Sequence, residues 1–274
     1  MSNQYKTTGH PGNEFKIAVL IIIGLFVWPV NAYAAQPDAA QYKDTLALAS
    51  TTLIHNIPNR TDNIILACGM INETVIMPGA TFSFNQTVGM RTEARGYKLA
   101  PSFSNGQIED SIGGGICQVA STLYYACLLS DLEIVSRTNH SMFADYIEKP
   151  GFDAAVSWGA IDFKFRNNTN NPIKIFAWVE DTMVFVELAG AKTNDHAVSI
   201  ESKILSTMPF QTIYRENRNL APGRTKVIQD PHTGYMVETY RVIKDANGNV
   251  IKRTLEAKSY YVKTDEIIEY NYQD

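Results

Sequence analysis

Three patterns place this chain among mixed α+β proteins, with a helix-containing first domain followed by a small all-β one. A glycine run opens a helical period at Ile116–Leu129, a period-two alternation begins after Phe152, and the chain beyond about Asn194 is strand-like throughout. The 274 residues suffice for two cores. Their 45% hydrophobic and 19% charged content excludes a disordered tail, a collagen-like repeat and a disulfide-dense miniprotein. Lys and Arg number 24 against 28 Asp and Glu, a formal net charge of -4, so the basic excess that nucleic-acid phosphates would require is missing.

The elements follow in order. Lys6 and Lys16 precede an apolar run over 17–30, and Ala32-Tyr33-Ala34 supplies a small-x-small processing signal. Residues 1–34 therefore read as an export signal. The run is shorter than the ~20 residues a spanning helix needs, so cleavage is favoured over retention as an anchor. Residues 35–41 form a linker. Helical spacing is expected over 42–54 and 60–72, the second capped by Thr61 or Asp62. Met77-Pro78-Gly79-Ala80 turns into a short strand or loop start at 81–84, and 89–111 reads as a long irregular binding loop. Residues 132–135 are strand-like. Ile161, Phe163 and Phe165 alternate with charged neighbours, and with 173–180 and 183–188 they predict an antiparallel meander. After a boundary near Asn194, strands are expected at 210–214, 226–230, 235–244 and 250–261, with a hairpin turn at Asp245-Ala246-Asn247-Gly248. The domains are thus 42–193 and 194–274.

The chemistry begins with an odd number of cysteines in an exported chain: Cys68, Cys117 and Cys127. On one continuous helix Cys117 and Cys127 lie roughly 15 Å apart, too far for a disulfide. Cys68 shares an apolar face with Ile64 and Ile65, and Cys127 lies on the stripe of Ile116, Ala120 and Leu123, so both read as packed thiols. Cys117 is off that stripe, in the first helical turn behind Gly113, Gly114 and Gly115. Free backbone N–H groups and the positive end of the helix dipole favour its thiolate, the nucleophilic form. A thiolate nucleophile needs a base, and His140 is the candidate left by elimination among five histidines. Asp153 or Asp162, and less readily Asp145, would fix the imidazole tautomer.

Five ordered motifs, Met77-Pro78-Gly79-Ala80-Thr81-Phe82-Ser83-Phe84-Asn85, then 113–124, Arg137-Thr138-Asn139-His140-Ser141, Phe152-Asp153-Ala154-Ala155-Val156 and 162–167, together resemble the VanW domain. The tail over 199–270 resembles the G5 domain, with Gly223, Gly234 and Gly248 at its turns and a departure from its usual ending at 263–270. The resemblance implies a bacterial cell-envelope protein of a family named from glycopeptide-resistance clusters, needing no cofactor or metal. Its partners would be peptidoglycan stem peptides and N-acetylglucosamine-containing glycan, with a membrane touched only through residues 17–30 if these stay uncleaved. It further implies L,D-transpeptidation, with Cys117 as nucleophile and His140 as base; of the carboxylates left open above, Asp153 is taken as the expected third catalytic residue. Gly114, Gly115, Arg137 and Ser141 then fall on the substrate side. The competing expectation is a binding module that clamps wall peptide and glycan without turnover.

Overall fold

Helix α3 (Ile116–Leu129) buries eleven of its fourteen residues, so the strands and loops of the first part of the chain are arranged around it. The structure is a computed structural model describing residues 39–53, 57–104 and 107–272, and the export-signal reading of 1–34 lies outside them. After a 3-10 turn at Ala39–Tyr42 come β1 (Asp44–Thr52), α1 (Pro58–Ile71), β2 (Val75–Ile76), β3 (Thr81–Ser83), α2 (Phe84–Val88), β4 (Leu99–Ser104) and β5 (Gln107–Ile112). Beyond α3 follow β6 (Glu133–Ser136), β7 (Lys164–Arg166), β8 (Ile173–Glu180) and β9 (Met183–Gly190). The second part holds only strands: β10 (Ala197–Met208), β11 (Thr212–Glu216), β12 (Arg224–Gln229), β13 (Gly234–Lys244), β14 (Val250–Tyr261) and β15 (Glu266–Asn271). The fold class is mixed α+β, and both parts belong to one compact unit.

The main sheet runs β1-β9-β8-β2, and α1 and α3 pack on it through Ile64, Ala67, Cys68, Ile71, Leu123 and Cys127 against Ile175, Val184, Val186 and Leu188. Residues 44–52 are a strand, where a helix over 42–54 was expected. Ala47, Ala49 and Thr51 point inward and pair with Leu188, Val186 and Val184 of β9. Small inward side chains let α3 approach closely, and that tertiary fit overrides the helical propensity of Ala and Leu. The expected meander is divided: β8 and β9 are a hairpin of the main sheet, while β7 lies between β3 and β6 in another. Residues 89–111 are not irregular throughout, because β4 and β5 form an antiparallel hairpin. Helix α1 is capped by neither Thr61 nor Asp62. Its N-cap is Ile57, and Pro58 opens the helix with its preset φ.

In the all-β part, β10-β13-β14 make one antiparallel sheet and β11-β15-β12 another. β15 covers much of the stretch where the sequence departs from the usual ending. It is the middle strand of its sheet, parallel to β11 and antiparallel to β12.

Candidate active site

Cys117 is the second residue of α3, held there by an unusually tight helix entry. Gly115 caps the helix at φ 103°, where L side chains are strained, and a Cβ on it would stand 2.8 Å from Arg60 Cγ. A Cβ on Gly114 would sit 2.2 Å from the Ala100 carbonyl oxygen. Asn63 of α1 fastens this loop by donating to the carbonyls of Gly114 (3.0 Å) and Lys98 (2.9 Å). Gln118 ties the helix start to β1 by donating to Thr51 Oγ1 (3.0 Å) and the Thr52 carbonyl (2.9 Å). Among the described residues the N–H groups of Gly115 and Cys117 have no hydrogen-bond acceptor, as the first turn of a helix dictates.

The extended segment 152–156 runs beside this helix start. Ser121 Oγ accepts from the Ala154 N–H at 3.0 Å, and the Ala155 N–H donates to the Thr138 carbonyl at 2.8 Å. The Val156 N–H points at Cys117 Sγ from 3.4 Å, and the Val156 carbonyl lies equally close. Asp153 is fully buried and takes four donors. His140 gives its backbone N–H and Nδ1 to Oδ2, both at 2.7 Å. Arg137 Nη2 (2.9 Å) and the Tyr261 hydroxyl reach Oδ1. The same imidazole hydrogen-bonds the Cys117 sulfur, while Tyr146 OH stands 3.4 Å from its Nε2. Thiol, imidazole and carboxylate thus form one connected chain.

The charges follow from these contacts. Burial pushes the Cys117 thiol up, but the hydrogen bond and charge of His140, the Val156 N–H and the Arg91 guanidinium outweigh it, leaving the thiol below its ordinary value. Burial disfavours a charged His140, yet its bonds to Asp153 and Cys117 raise it from 6.5 to about 10. Asp153 falls to about 2, because His140 and Arg137 together overcome its desolvation. These contacts together favour the charged set of thiolate, imidazolium and carboxylate over its neutral counterpart. Cys68 and Cys127 are buried thiols, with Cys68 pushed up to about 12 and Cys127 well above its ordinary value by desolvation. All three cysteines are free.

Cys117 and His140 open into a cleft of about 520 Å³ walled by Pro101, Ser102, Ser111 and Ile112 of the hairpin and by Val156, Ser157 and Trp158 opposite. Arg60 and Arg91 line it, and among the described residues no Asp or Glu does. Arg60 Nη2 donates to Gln118 Oε1 at 2.8 Å, and Arg91 Nη1 donates to Asn85 Oδ1 at 2.7 Å. Gly115 lines the cleft, whereas Gly114 is buried beneath it. Arg137 is buried away from the cleft lining and holds Asp153 by its carbonyl (2.6 Å) as well as its carboxylate. Ser141 is exposed, with its carbonyl accepting the Val262 N–H. Asp162 is occupied elsewhere, accepting from Ser83 Oγ and the Asn85 N–H. Sequence reasoning missed Arg60, Arg91, Tyr146 and Tyr261. The only signal for the arginines was a cation within two otherwise ordinary stretches. Among the described residues no cluster of three or more His, Cys, Asp or Glu side chains could hold a metal.

The family model described as VanW like protein matches residues 59–189, and the G5 domain model matches 200–272. The chain carries a VanW-like domain followed by a G5 domain. Over 119 residues it is 49% identical to YoaR of Bacillus subtilis (strain 168), a match covering 43% of this chain and 39% of that protein. Over 138 residues it is 31% identical to the vancomycin B-type resistance protein VanW of Enterococcus faecalis (strain ATCC 700802 / V583), covering 49% and 50% respectively. The chain thus spans half or less of the length of these relatives, one of which is named for glycopeptide resistance. An IgA1 protease G5 domain structure is 23% identical over 30% of this chain and 96% of its own, with a TM-score of 0.20. The HP0197-G5 crystal structure is 16% identical over 28% and 97%, with a TM-score of 0.17. All five VanW-like motifs lie within the matched VanW-like domain, and Cys117, His140 and Asp153 belong to it. Among the described residues no helix is long and apolar enough to cross a membrane.

Proposed function

We propose that the chain works in the bacterial cell envelope as a cysteine acyl transferase of the L,D-transpeptidase type, acting on peptidoglycan stem peptides. The observation carrying this reading is the connected Cys117–His140–Asp153 chain at the floor of an open cleft. The Cys117 thiolate attacks the carbonyl of the third stem residue and forms a C–S bond. The N–H groups of Gly115 and Cys117, unoccupied by other acceptors, are suited to the resulting oxyanion. The imidazolium of His140 gives its proton to the departing nitrogen, the C–N bond breaks, and D-alanine leaves. An acceptor amine, or water, then attacks the thioester and returns its proton to His140, and the C–S bond breaks to restore the thiolate. Asp153 holds the imidazole in one orientation throughout. Arg60 and Arg91, in a cleft whose described lining residues include no Asp or Glu, suit a donor that carries carboxylates, as a stem tetrapeptide does.

The test is mass spectrometry of the protein incubated with a stem tetrapeptide. An acyl adduct on Cys117 with release of D-alanine is expected. Unchanged wall cross-linking and full biological activity in a Cys117→Ala strain would overturn the reading.

A glycan-binding role for the G5 domain has its own support. Tyr214 and Tyr272 are exposed, and their rings contact Tyr270 between them at 6.4 Å and 4.7 Å, an aromatic surface of the kind on which sugar faces stack. Loss of wall pull-down is expected for Tyr214→Ala with Tyr272→Ala, and undiminished pull-down would remove this role.

A further inference from the structure

The G5 domain reaches the triad itself. Both donors to Asp153 Oδ1 depend on β14: Tyr261 donates directly, and Arg137, the other donor, is held by Ser259 Oγ, which accepts from its Nη1 at 2.7 Å. Ser259 and Tyr261 are two residues apart on one strand and so share a face, the face turned toward the VanW-like domain. Between them Tyr260 points its ring outward while its carbonyl accepts from Asn139 Nδ2 at 2.8 Å, beside His140. The Tyr261 hydroxyl also accepts from the Gly151 N–H at 2.7 Å, so its proton has one destination, the Asp153 carboxylate. Burial and the neighbouring Asp153 charge raise the Tyr261 pKa far above its ordinary value, keeping it a donor across the working range.

We infer that the G5 domain is a structural half of the active site, with Tyr261 as the positioning residue that fixes Asp153 and, through it, the His140 imidazole beside Cys117. Oδ2 alone serves His140, because Oδ1 is occupied from the other side. With Oδ1 released, the carboxylate can turn, and the imidazolium that lowers the thiol is less well held. The G5 domain therefore does more than tether the VanW-like domain to a surface.

This inference rests on the Cys117–His140–Asp153 reading but not on any particular substrate. Its test is accordingly the pH dependence of iodoacetamide alkylation, followed by mass spectrometry at Cys117 in the full chain. In Tyr261→Phe the midpoint is expected to rise by about one pH unit, a tenfold loss of thiolate below it. Ser259→Ala is expected to move it less, in the same direction, and carries the test if Tyr261→Phe melts early. Tyr260→Phe, on the outward face, should leave it in place. A midpoint that stays or falls in a folded Tyr261→Phe or Ser259→Ala protein overturns the inference. If stem tetrapeptide never acylates Cys117 yet the midpoint shifts as expected, the transpeptidase reading fails and this one stands. If acylation occurs and the midpoint does not move, the reverse holds.

Discussion

In the VanW-like domain, α1 and α3 bury Ile64, Leu123 and Leu128 completely against their neighbours, whereas β11 and β12 of the G5 domain leave every residue at least partly exposed. One domain is built around a dry helix, the other from ribbons wet on both faces. The buried residues of the G5 domain gather mainly on β13 and β14, and several are polar: Thr239, Arg241 and Ser259. Each has a partner in the VanW-like domain. Arg241 donates to Asp131 and the Leu132 carbonyl, Thr239 to the Gly151 carbonyl, and Ser259 accepts from Arg137. A sheet with little apolar interior of its own thus becomes ordered where it meets a domain that has one. Deleting the G5 domain would consequently strip Asp153 of a donor and leave several buried polar groups unpaired, so point variants test the proposed wall binding more cleanly than truncation does.

The contrast can be broken by measurement. The largest effect is expected for Asp153→Ala, which leaves Arg137 buried without its counter-charge. A loss of about 3–5 kcal/mol in denaturant unfolding should accompany loss of the lowered Cys117 pKa. Next, Leu123→Ala in the dry helix should cost about 2–5 kcal/mol by the same measurement. The triad also makes stability depend on pH in two opposite senses. Asp153, lowered to about 2, contributes fully above its unfolded value of 3.8 and loses that contribution as pH falls toward 2. His140, raised to about 10, contributes fully below 6.5 and loses it as pH rises through 10. Cys117, lowered from 9.0, gains stability as pH rises toward that value and so offsets the His140 loss above 6.5. Melting temperature should therefore fall on the acid side as Asp153 is protonated and on the alkaline side beyond 9, and the alkaline decline should vanish in His140→Gln. The smallest effect is expected for Val227→Ala in β12, within about 0.5 kcal/mol. A cost for Val227→Ala equal to that for Leu123→Ala would end the comparison.

Much of the site was legible because its signals are local. Three glycines before an apolar period place Cys117 at a helix start, and the geometry of a helix separates it from Cys127 without further information. His140 emerged by elimination, and Asp153 stood beside Asp162 until the fold engaged Asp162 with Ser83 and Asn85. Strand β1 was illegible for a physical reason: its Ala and Leu residues favour helix, and only the approach of α3 and pairing with β9 make it strand. The β4–β5 hairpin was hidden by Pro101 and by serines that suggest a loop. Tyr261 lies 108 residues from Asp153, and nothing in its neighbourhood hints at that partner.

The sheet β11-β15-β12 carries a consequence for the order of assembly. Thr212 pairs in parallel with Glu266, 54 residues later, and among the described residues β12 also pairs only with β15. Two strands therefore emerge from synthesis with open edges and wait for a third to be inserted between them. Such non-local closure is slow and leaves edges exposed to other chains meanwhile. A chain that crosses a membrane unfolded would repeat that wait on the far side, and the last ribbon to close would be the one that carries the exposed tyrosines.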